Sequence, residues 1–406
     1  MREQLKNKQV MLAPLAGVSD VGFRLISEKY GADKTFTEMV SVNALYYDNK
    51  KTEDLLFISE NEKNCNIQLF GSKPEIIEKV IKDKINYIEK SKEISFNMGC
   101  PVAKITKNGE GSQLMANPKL VEEICKILRK STNKKLNIKF RLGIDDKHIN
   151  YLDIGKIAQD TGIDYVILHA RTKDQMYSGN ANWDHIRKLK ENLQIPVIAN
   201  GDIFTVEDFI KVMDLTKADG VMLARGAMGN PFLFKEIKDY VNKGSYEKPT
   251  PIQIIDQLIE QYKIELKYKK EKLVVTQMRK HLSWYIKGLE NSSKIRDLVN
   301  KLKTIDEVMD ELENYKSTLK GWENDWTKRS NSIKRIFTKT TRRIRIFEDK
   351  KKTRNCWKNQ RSKIIWRSFW KCWLWWSEKW TRWSRIKNCK SWRYDKTCKN
   401  FWGFYK

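Results

Sequence analysis

The chain has 406 residues, of which 40% are hydrophobic and 32% charged, so it is long enough for two or three domains that fold in water. No apolar run approaches the roughly 18 residues of a membrane-spanning helix, and the N-terminal residues do not resemble a signal peptide, which predicts a cytoplasmic protein without a membrane partner. Seven cysteines without paired spacing favour a reducing compartment over a disulfide framework.

The net charge of +28 is concentrated at the C-terminal end. Residues 321–406 hold 26 Lys and Arg against 6 Asp and Glu, together with 12 of the 14 tryptophans. The first 320 residues hold 53 basic and 45 acidic side chains, which is close to balance. The two parts therefore need separate explanations, and the total charge does not indicate a single large nucleic-acid surface.

Eight short apolar runs alternate with amphipathic segments over the first 235 residues. They lie at 10–15, 35–40, 66–70, 93–97, 136–140, 165–170, 196–200 and 220–224. Between most of them, apolar residues recur every three or four positions after an early proline, as in helices. This alternation predicts a parallel (β/α)8 barrel within the usual ~250 residues. An open doubly wound sheet is the alternative, but no G-x-G-x-x-G follows the first run.

The segment after the barrel has a different pattern. Residues 250–316 show helical periodicity without strand-like runs, and "NKGSYEKPTP" before them has the composition of a linker. We therefore predict a barrel domain over 1–242, a small α-helical domain over 250–316 and an unstructured tail over 321–406.

The tail does not resemble an evolved domain. It shows neither helical nor strand periodicity and almost no turn residues, and its four cysteines are too irregularly spaced for a zinc motif. Reading its codons one base later permits a helical string that resembles the start of bacterial Gre-type transcript-cleavage factors. Our hypothesis is that the tail is an out-of-frame reading of a neighbouring gene; a basic-aromatic RNA-binding tail is the alternative.

Polar residues cluster just after the apolar runs. Such a barrel brings the carboxyl ends of its strands to one mouth, where catalytic groups belong. The cluster comprises Gln68, Asn97, Cys100, Lys139, Arg141, His169, Arg171, Asn200, Gly201, Asp202, Arg225 and Gly226.

Six motifs occur in this order along the chain: "APLAGVSD", "NMGCPVAKITKNGEGSQLM", "HARTKDQMYSGNANW", "ANGDI", "ARGAMGNPFLF" and "RKHLSWYIKGL". Together they closely resemble those of bacterial tRNA-dihydrouridine synthases, and most of all the B-type subgroup. The resemblance spans about residues 5–316 and implies a flavin-dependent barrel enzyme that reduces uracil in tRNA with FMN, recharged by NADPH.

Reduction of the C5=C6 bond of uracil needs a hydride at C6 and a proton at C5. Cys100 suits the proton, because a thiol with a pKa of about 8.5 is protonated at neutral pH and can still release its proton. The resemblance gives Cys100 the same general-acid role. Cys65 and Cys125 lie in apolar contexts and are expected to be inert.

The resemblance also implies a set of flavin contacts. Gln68 would bind the isoalloxazine edge, Lys139 would place a charge near its N1–C2 side, and His169 would lie against it. The loops after strands seven and eight commonly hold a phosphate. Asp202 would hold a ribityl hydroxyl or the loop itself, and Ala224 stands where many relatives have glycine. The full set of expected flavin contacts is Pro14, Leu15, Ala16, Gln68, Lys139, His169, Asn200, Gly201, Asp202, Ala224, Arg225 and Gly226.

Substrate contacts are expected on loops that face RNA in the family and on the helical domain. The target uridine must leave its stack to reach the flavin, and contact with the tRNA backbone would offset that cost. These expected contacts are Asn97, Glu38, Arg171, Tyr177, Lys104, Arg279, Lys280 and His281.

Two competing functions remain at this stage. A flavin barrel that reduces a small pyrimidine such as dihydroorotate is one, although the helical domain with "RKHLSWYIKGL" argues against it. An RNA-binding module with a relic barrel is the other. We expect a monomer without a metal, and neither the choice between NADPH and NADH nor the modified tRNA position follows from the residues.

Overall fold

The structure is a computed structural model that describes residues 2–319. The hypotheses about the tail concern residues 321–406, which lie outside the described residues. Within 2–319, no helix is both long and apolar enough to cross a membrane.

Eight parallel strands form one sheet with the order β1-β8-β7-β6-β5-β4-β3-β2. A parallel bridge between Met11 and Lys34 brings β1 beside the start of β2, which closes the sheet into a barrel. The predicted (β/α)8 barrel is therefore confirmed, with all eight strands at the predicted runs. The strands are β1 (Gln9–Leu12), β2 (Thr35–Ser41), β3 (Cys65–Phe70), β4 (Glu93–Met98), β5 (Lys135–Phe140), β6 (Tyr165–His169), β7 (Val197–Asn200) and β8 (Gly220–Leu223).

Helices follow the strands and begin at local sequence signals. Asp20 and Asn117 accept backbone amides as N-caps, Thr205 and Thr250 form capping boxes, and prolines open three helices. The helices are α1 (Arg2–Leu5), α2 (Val21–Lys29), α3 (Val42–Tyr46), α4 (Lys50–Glu53), α5 (Pro74–Val80), α6 (Ala103–Thr106), α7 (Pro118–Ser131), α8 (Tyr151–Asp160), α9 (Asp184–Asn192), α10 (Val206–Thr216), α11 (Phe232–Lys243), α12 (Pro251–Glu265), α13 (Glu271–Tyr285) and α14 (Ser292–Val299). Short 3₁₀ segments lie at Asp54–Leu56 and Gly111–Ala116, a π turn at Ile81–Ile85, and a further helix over 305–319.

Two apolar layers hold the barrel together. Alternate strand residues point inward and form a small core that includes Met11, Phe36, Ile167 and Met222. Their neighbours point outward and pack against the helices in a much larger core. Because the strands are buried on both faces, they read as continuous apolar runs, which is why the sequence revealed them.

The chain divides into two compact units. The first comprises Met1–Tyr285 with Val299–Asp310, and the described part of the second comprises 286–298 and 311–319. Helices α12 and α13 thus belong to the same unit as the barrel. The functional division into an FMN-binding domain over 1–242 and a tRNA-binding domain over 250–316 stays a prediction.

Candidate active site

The loop after β4 carries Cys100 and is held from below by a chain of side-chain amides. Asn97 Oδ1 accepts the backbone amides of Gly99 at 3.0 Å and Cys100 at 2.9 Å. Its Nδ2 donates to Gln68 Oε1 at 2.8 Å, and Gln68 Nε2 donates to Ser95 Oγ at 2.9 Å. The floor of the mouth is therefore a continuous hydrogen-bonded network under the thiol.

This network changes two expected roles. Gln68 has no accessible surface, and a side chain without accessible surface cannot touch a flavin unless the site rearranges. Asn97 has both ends of its amide engaged within the protein, so the geometry does not offer it as a contact for uracil. Both residues position the Cys100 loop, and their expected contacts with flavin and uracil stay predictions.

Cys100 itself is half-buried at the mouth. Its carbonyl accepts hydrogen bonds from the amide and hydroxyl of Ser112, which closes the loop. Burial raises the pKa of the Cys100 thiol, while the amide of Val102 and the charge of Arg141 oppose that rise. The thiol therefore stays protonated at neutral pH.

The other described cysteines differ from Cys100 as expected. Cys65 and Cys125 are fully buried, and burial raises the pKa of each thiol to about 12. Neither faces the mouth of the barrel with accessible surface, so their chemistry is suppressed.

Lys139, at the end of β5, is the most perturbed cation of the mouth. Its ammonium group has no hydrogen bond or ion pair with any residue between 2 and 319. Burial lowers its pKa to about 7, and the nearby charge of Arg141 adds to that effect. The permanent positive charge expected for Lys139 is therefore only partial at neutral pH before a ligand binds.

Arg141 lies two residues further along and joins two loops. Its Nε donates to the carbonyl of Gly99 at 2.8 Å, and its Nη1 donates to the carbonyls of Thr172 at 2.7 Å and Met176 at 2.9 Å. Burial lowers its pKa to about 10. It fixes the Cys100 loop to the loop after β6.

His169 ends β6 and is buried next to Gly201. A Cβ placed on Gly201 would lie 3.0 Å from His169 Cδ2, and the backbone φ of 121° at Gly201 also favours glycine. Burial and the surrounding cations, first among them Lys139, hold the pKa of His169 well below its usual value. The ring is therefore neutral.

Asp202 forms the charged centre of the loops after β6, β7 and β8. It accepts two hydrogen bonds from Arg171, at 2.9 and 2.6 Å, one from Arg225 at 2.9 Å and one from the amide of Ala181 at 2.7 Å. Although burial opposes it, the bond from Arg171 helps to keep the pKa of Asp202 below its usual value. Of the two roles expected for Asp202, the described contacts are those that hold the loop.

Arg171 does not have the exposure expected of an RNA contact. It is 1% exposed, and its remaining donors bind the carbonyls of Ser178 at 3.1 Å and Gly179 at 2.7 Å. The expected substrate role does not fit this arrangement, because the guanidinium of Arg171 already donates hydrogen bonds to Asp202 and to the carbonyls of the loop. Arg171 instead stabilises the segment that presents Tyr177.

Arg225 keeps unused donors toward a cavity of about 560 Å³. Its guanidinium lies 4.9 Å from the ring centre of Tyr177 and 5.6 Å from that of Phe204, and both rings are exposed. The cavity is lined by Arg171, Tyr177, Gly179, Asn180, Ala181, Trp183, Asp202, Phe204, Asp208 and Arg225. Its volume and the unused donors of Arg225 suit a phosphate-bearing ligand.

The remaining expected flavin contacts lie around the same mouth. At Gly226 a Cβ would lie 2.0 Å from the carbonyl oxygen of Ile203, so only glycine allows the two loops to meet. Ala224 stays outside the left-handed region, so alanine is tolerated there. Asn200 Nδ2 donates to the carbonyl of Met222 at 2.7 Å. Pro14 and Leu15 are half-buried and Ala16 is exposed in the loop after β1.

Of the basic trio on α13, one residue reaches the barrel mouth. Lys280 approaches the loop after β1, where a Cβ on Gly17 would lie 2.7 Å from its Nζ. Arg279 donates to the carbonyl of Leu302 at 3.0 Å. His281 is 1% exposed, and burial lowers its pKa to about 4, so the expected phosphate contact at His281 does not fit a buried, neutral ring.

Three further expected substrate contacts are Glu38 in β2, Lys104 on α6 and Tyr177 in the loop after β6. Glu38 accepts the amide of Gly17, and burial raises its pKa. Tyr177 is 51% exposed with its ring centre 6.5 Å from that of His169. Lys104 is exposed on α6, four residues beyond Cys100. All three keep surface for a ligand, and their roles stay predictions.

The sequence drew attention to Arg141 only as part of a polar cluster, and it missed Trp183 and Phe204. The indole of Trp183 donates to the carbonyl of Gly201 at 2.9 Å, and Phe204 covers Arg225. Arg141 had a usable signal, since it lies two residues after Lys139 and so shares its direction across the strand. No local signal marks the other two.

A closed barrel whose carboxyl mouth gathers a protonated thiol, a neutral imidazole and perturbed cations defines a (β/α)8-barrel enzyme. The sequence matches the family described as "Dihydrouridine synthase (Dus)" over residues 11–320, and the chain therefore belongs to that family of flavin-dependent oxidoreductases.

The chain aligns with curated relatives over most of the length of each relative. The chain is 36% identical over 319 residues to tRNA-dihydrouridine synthase B of Shewanella oneidensis, covering 77% of this chain and 96% of the relative. It is 35% identical over 316 residues to probable tRNA-dihydrouridine synthase 1 of Synechocystis, covering 77% and 88%. A probable tRNA-dihydrouridine synthase of Rickettsia bellii is 35% identical over 72% of this chain and 90% of its own.

The side chains at the mouth fit a flavin. A half-buried cation without a partner, Lys139, is stabilised when an electron-rich or anionic ring edge lies beside it. Arg225 offers spare donors in a cavity of suitable volume, and Gly201 and Gly226 allow the loops after β7 and β8 to pack closely against their neighbours. These groups match the two ends of a flavin nucleotide, a polar ring and a phosphate.

Proposed function

We propose that this enzyme reduces the C5=C6 bond of uridines in tRNA, with FMN as its flavin, NADPH or NADH as the ultimate reductant and Cys100 as the proton donor. The observation that carries the proposal is the half-buried, protonated thiol of Cys100 at the barrel mouth, beside Lys139 and Arg141.

The proton donor must be protonated before the reaction and able to lose its proton during it. Burial keeps the Cys100 thiol protonated, and the positive charges of Arg141 and Lys139 would stabilise the thiolate that proton transfer leaves behind. Asn97 fixes the loop, which holds the thiol in one position before the reaction. The thiol would deliver its proton to C5 of the uracil ring.

The flavin, when bound, supplies the hydride for C6. Lys139 and the neutral His169 would lie at its ring, while Arg225 and the backbone around Gly201 and Gly226 would hold the phosphate end. With Asp202 held by Arg171, the phosphate would meet Arg225 rather than a free carboxylate.

Contacts to the tRNA backbone would come from exposed or half-buried cations around the mouth. Lys280 and Lys104 keep accessible ammonium groups, and Tyr177 offers an exposed ring for stacking. Binding through such cations is lost as salt rises, because condensed counterions are released from the RNA. We expect a monomer without a metal.

Two measurements test the proposal. Deleting the gene should remove dihydrouridine from at least one tRNA position, and unchanged dihydrouridine throughout total tRNA would contradict the function. Purified Cys100→Ala should keep the visible absorbance of bound flavin but lose about 10² to 10⁴ in turnover, the usual contribution of a general acid.

A matched control separates the thiol from general damage. Cys125→Ala also removes a thiol, but one that is fully buried away from the mouth. It should lower stability and leave turnover per folded, flavin-loaded molecule unchanged. Full activity in Cys100→Ala would remove the acid role.

A further inference from the structure

A second cavity lies on the side of the barrel mouth opposite the cavity beside Arg225. It has a volume of about 360 Å³ and is formed by the segments that follow β2, β3 and β4. Its lining residues are Val42, Asn43, Gly71, Ser72, Lys73, Ile76, Ile77, Asn108 and Glu110. None of them belongs to the site described above.

The cavity adjoins the Cys100 loop directly. Gly111, the neighbour of Glu110, packs so closely that a Cβ there would lie 2.7 Å from the carbonyl oxygen of Cys100. A ligand in this cavity is therefore held next to the group that faces the reacting base. One RNA segment would therefore be able to place one base in this cavity and the target uridine beside Cys100.

Glu110 is the unusual feature of the cavity. Glu110 is only 8% exposed. Its carboxylate has no hydrogen-bond or ion-pair partner in the part of the chain that the structure describes. Burial raises its pKa, and only the charge of Lys73 opposes that rise. The carboxylate is partly desolvated and has solvent as its remaining partner, so a ligand that supplies two N–H donors in the cavity would stabilise it.

The walls limit what that ligand is. Val42, Ile76 and Ile77 provide a buried apolar side for a flat ring, and Lys73 is exposed at the rim, where it can meet a phosphate. A carboxylate accepts two parallel N–H donors. Among the four RNA bases only guanine presents two adjacent N–H groups, N1–H and the N2 amine, on its Watson–Crick edge.

We infer that this cavity binds a guanine base of the substrate RNA near the target uridine, with Glu110 accepting its N1–H and N2–H. The inference rests on the proposed function in taking RNA as the ligand. It makes Glu110 a specificity-determining residue, since adenine, cytosine and uracil each place an acceptor where guanine has a donor. Unpaired bases in RNA loops are commonly read in this way.

The test is equilibrium binding of the full chain, with its flavin, to short single-stranded RNA. Heptanucleotides carry one central uridine and adenosine elsewhere, with guanosine placed in turn at each of the two positions on either side. A matched set carries inosine, which lacks the N2 amine. At one position or more, guanosine should bind roughly tenfold tighter than inosine or adenosine, the size of one bidentate base contact.

Two variants assign the preference to the carboxylate. Glu110→Gln keeps the volume but turns one acceptor into a donor, so the guanosine preference should fall below twofold. Glu75→Gln removes the same charge from an exposed site on α5 and should behave as the unmodified protein.

Several results would overturn the inference. They are equal binding of guanosine and inosine by the unmodified protein at every position, a guanosine preference that Glu110→Gln retains, and an equal weakening of all RNAs by Glu110→Gln. The first comparison needs no variant and so does not depend on the folding of Glu110→Gln. Dihydrouridine formation in tRNA, measured on the same preparation, reports separately on the proposed function, because binding does not require turnover.

Discussion

Asn97 accepts a hydrogen bond from the backbone amide of Cys100 through its Oδ1 at 2.9 Å, so a residue of β4 positions the loop that carries this thiol. The same oxygen accepts the amide of Gly99, and the other end of the amide is anchored on Gln68. The loop is therefore held by the barrel floor in addition to its contacts with Ser112 and Arg141.

Replacing Asn97 by alanine should lower kcat by about 10- to 100-fold, because a misplaced thiol loses the benefit of orientation. KM for tRNA should change little, since the amide of Asn97 is engaged within the protein. The alkylation rate of Cys100 by iodoacetamide should rise as the loop loosens. Asn192→Ala, at an exposed end of α9, is the control; an unchanged alkylation rate in Asn97→Ala would contradict the positioning role.

Replacing Asp202 by asparagine should destabilise the protein by about 3 to 5 kcal/mol at neutral pH, because the buried Arg171 loses its charged partner. The pKa of Asp202 is lowered in the folded state, so its stabilisation is present above its unfolded pKa and is lost as the pH falls through the folded one. The difference between variant and unmodified protein should therefore shrink in acid.

Urea unfolding at several pH values measures this difference. Asp214→Asn breaks an exposed ion pair with Lys217 and should cost about 0 to 1 kcal/mol. Equal losses of unfolding free energy in the two variants would mean that the buried Arg171–Asp202 pair stabilises the protein no more than an exposed ion pair does.

Replacing Lys139 by methionine should stabilise the flavin-free protein by about 1 to 3 kcal/mol below pH 7, because a cation without a partner is removed from a half-buried site. The folded pKa of about 7 lies below the ordinary value of 10.5. The unfolded chain thus binds more protons between these values, and the unmodified protein gains stability as pH rises across that window.

The advantage of the methionine variant should consequently decline from pH 7 toward pH 10.5. Unfolding free energies from urea titrations at pH 6, 8 and 9.5 measure the trend. A constant difference across this range would show that Lys139 titrates normally.

Replacing Gly229 by alanine should cost about 3 kcal/mol or more, since a Cβ there would lie 2.4 Å from the carbonyl carbon of Trp284 on α13. Gly109 has a similar positive φ of 74° but no atom within 4 Å of a Cβ. Gly109→Ala should therefore cost only the ~1–2 kcal/mol of the left-handed backbone. Equal thermal shifts in the two variants would mean that the contact with α13 does not matter.

Much of the fold was readable from local sequence. Strands buried on both faces appear as apolar runs, and the prolines and capping residues before helices act over three or four positions. The position of Cys100 before Pro101, after β4, is local in the same sense. These features depend on neighbours along the chain, so the sequence is sufficient to predict them.

The roles of individual polar residues were less predictable. Arg171 and His281 look like surface cations in sequence, yet the structure buries both. Gln68 and Asn97 look like ligand contacts, yet they bind each other. Burial and partners are set by residues dozens of positions away, which a motif does not encode.

By itself, the sequence determined an eight-stranded parallel barrel, a thiol at the end of its fourth strand and the family to which the chain is similar. Only the tertiary structure decided which polar groups support that thiol, that the Lys139 ammonium has no partner within residues 2–319 and that Glu110 lines a cavity beside the Cys100 loop. The physical reason is that strand and helix patterns arise from short-range periodicity, whereas desolvation and hydrogen bonding depend on which loops the closed barrel brings together.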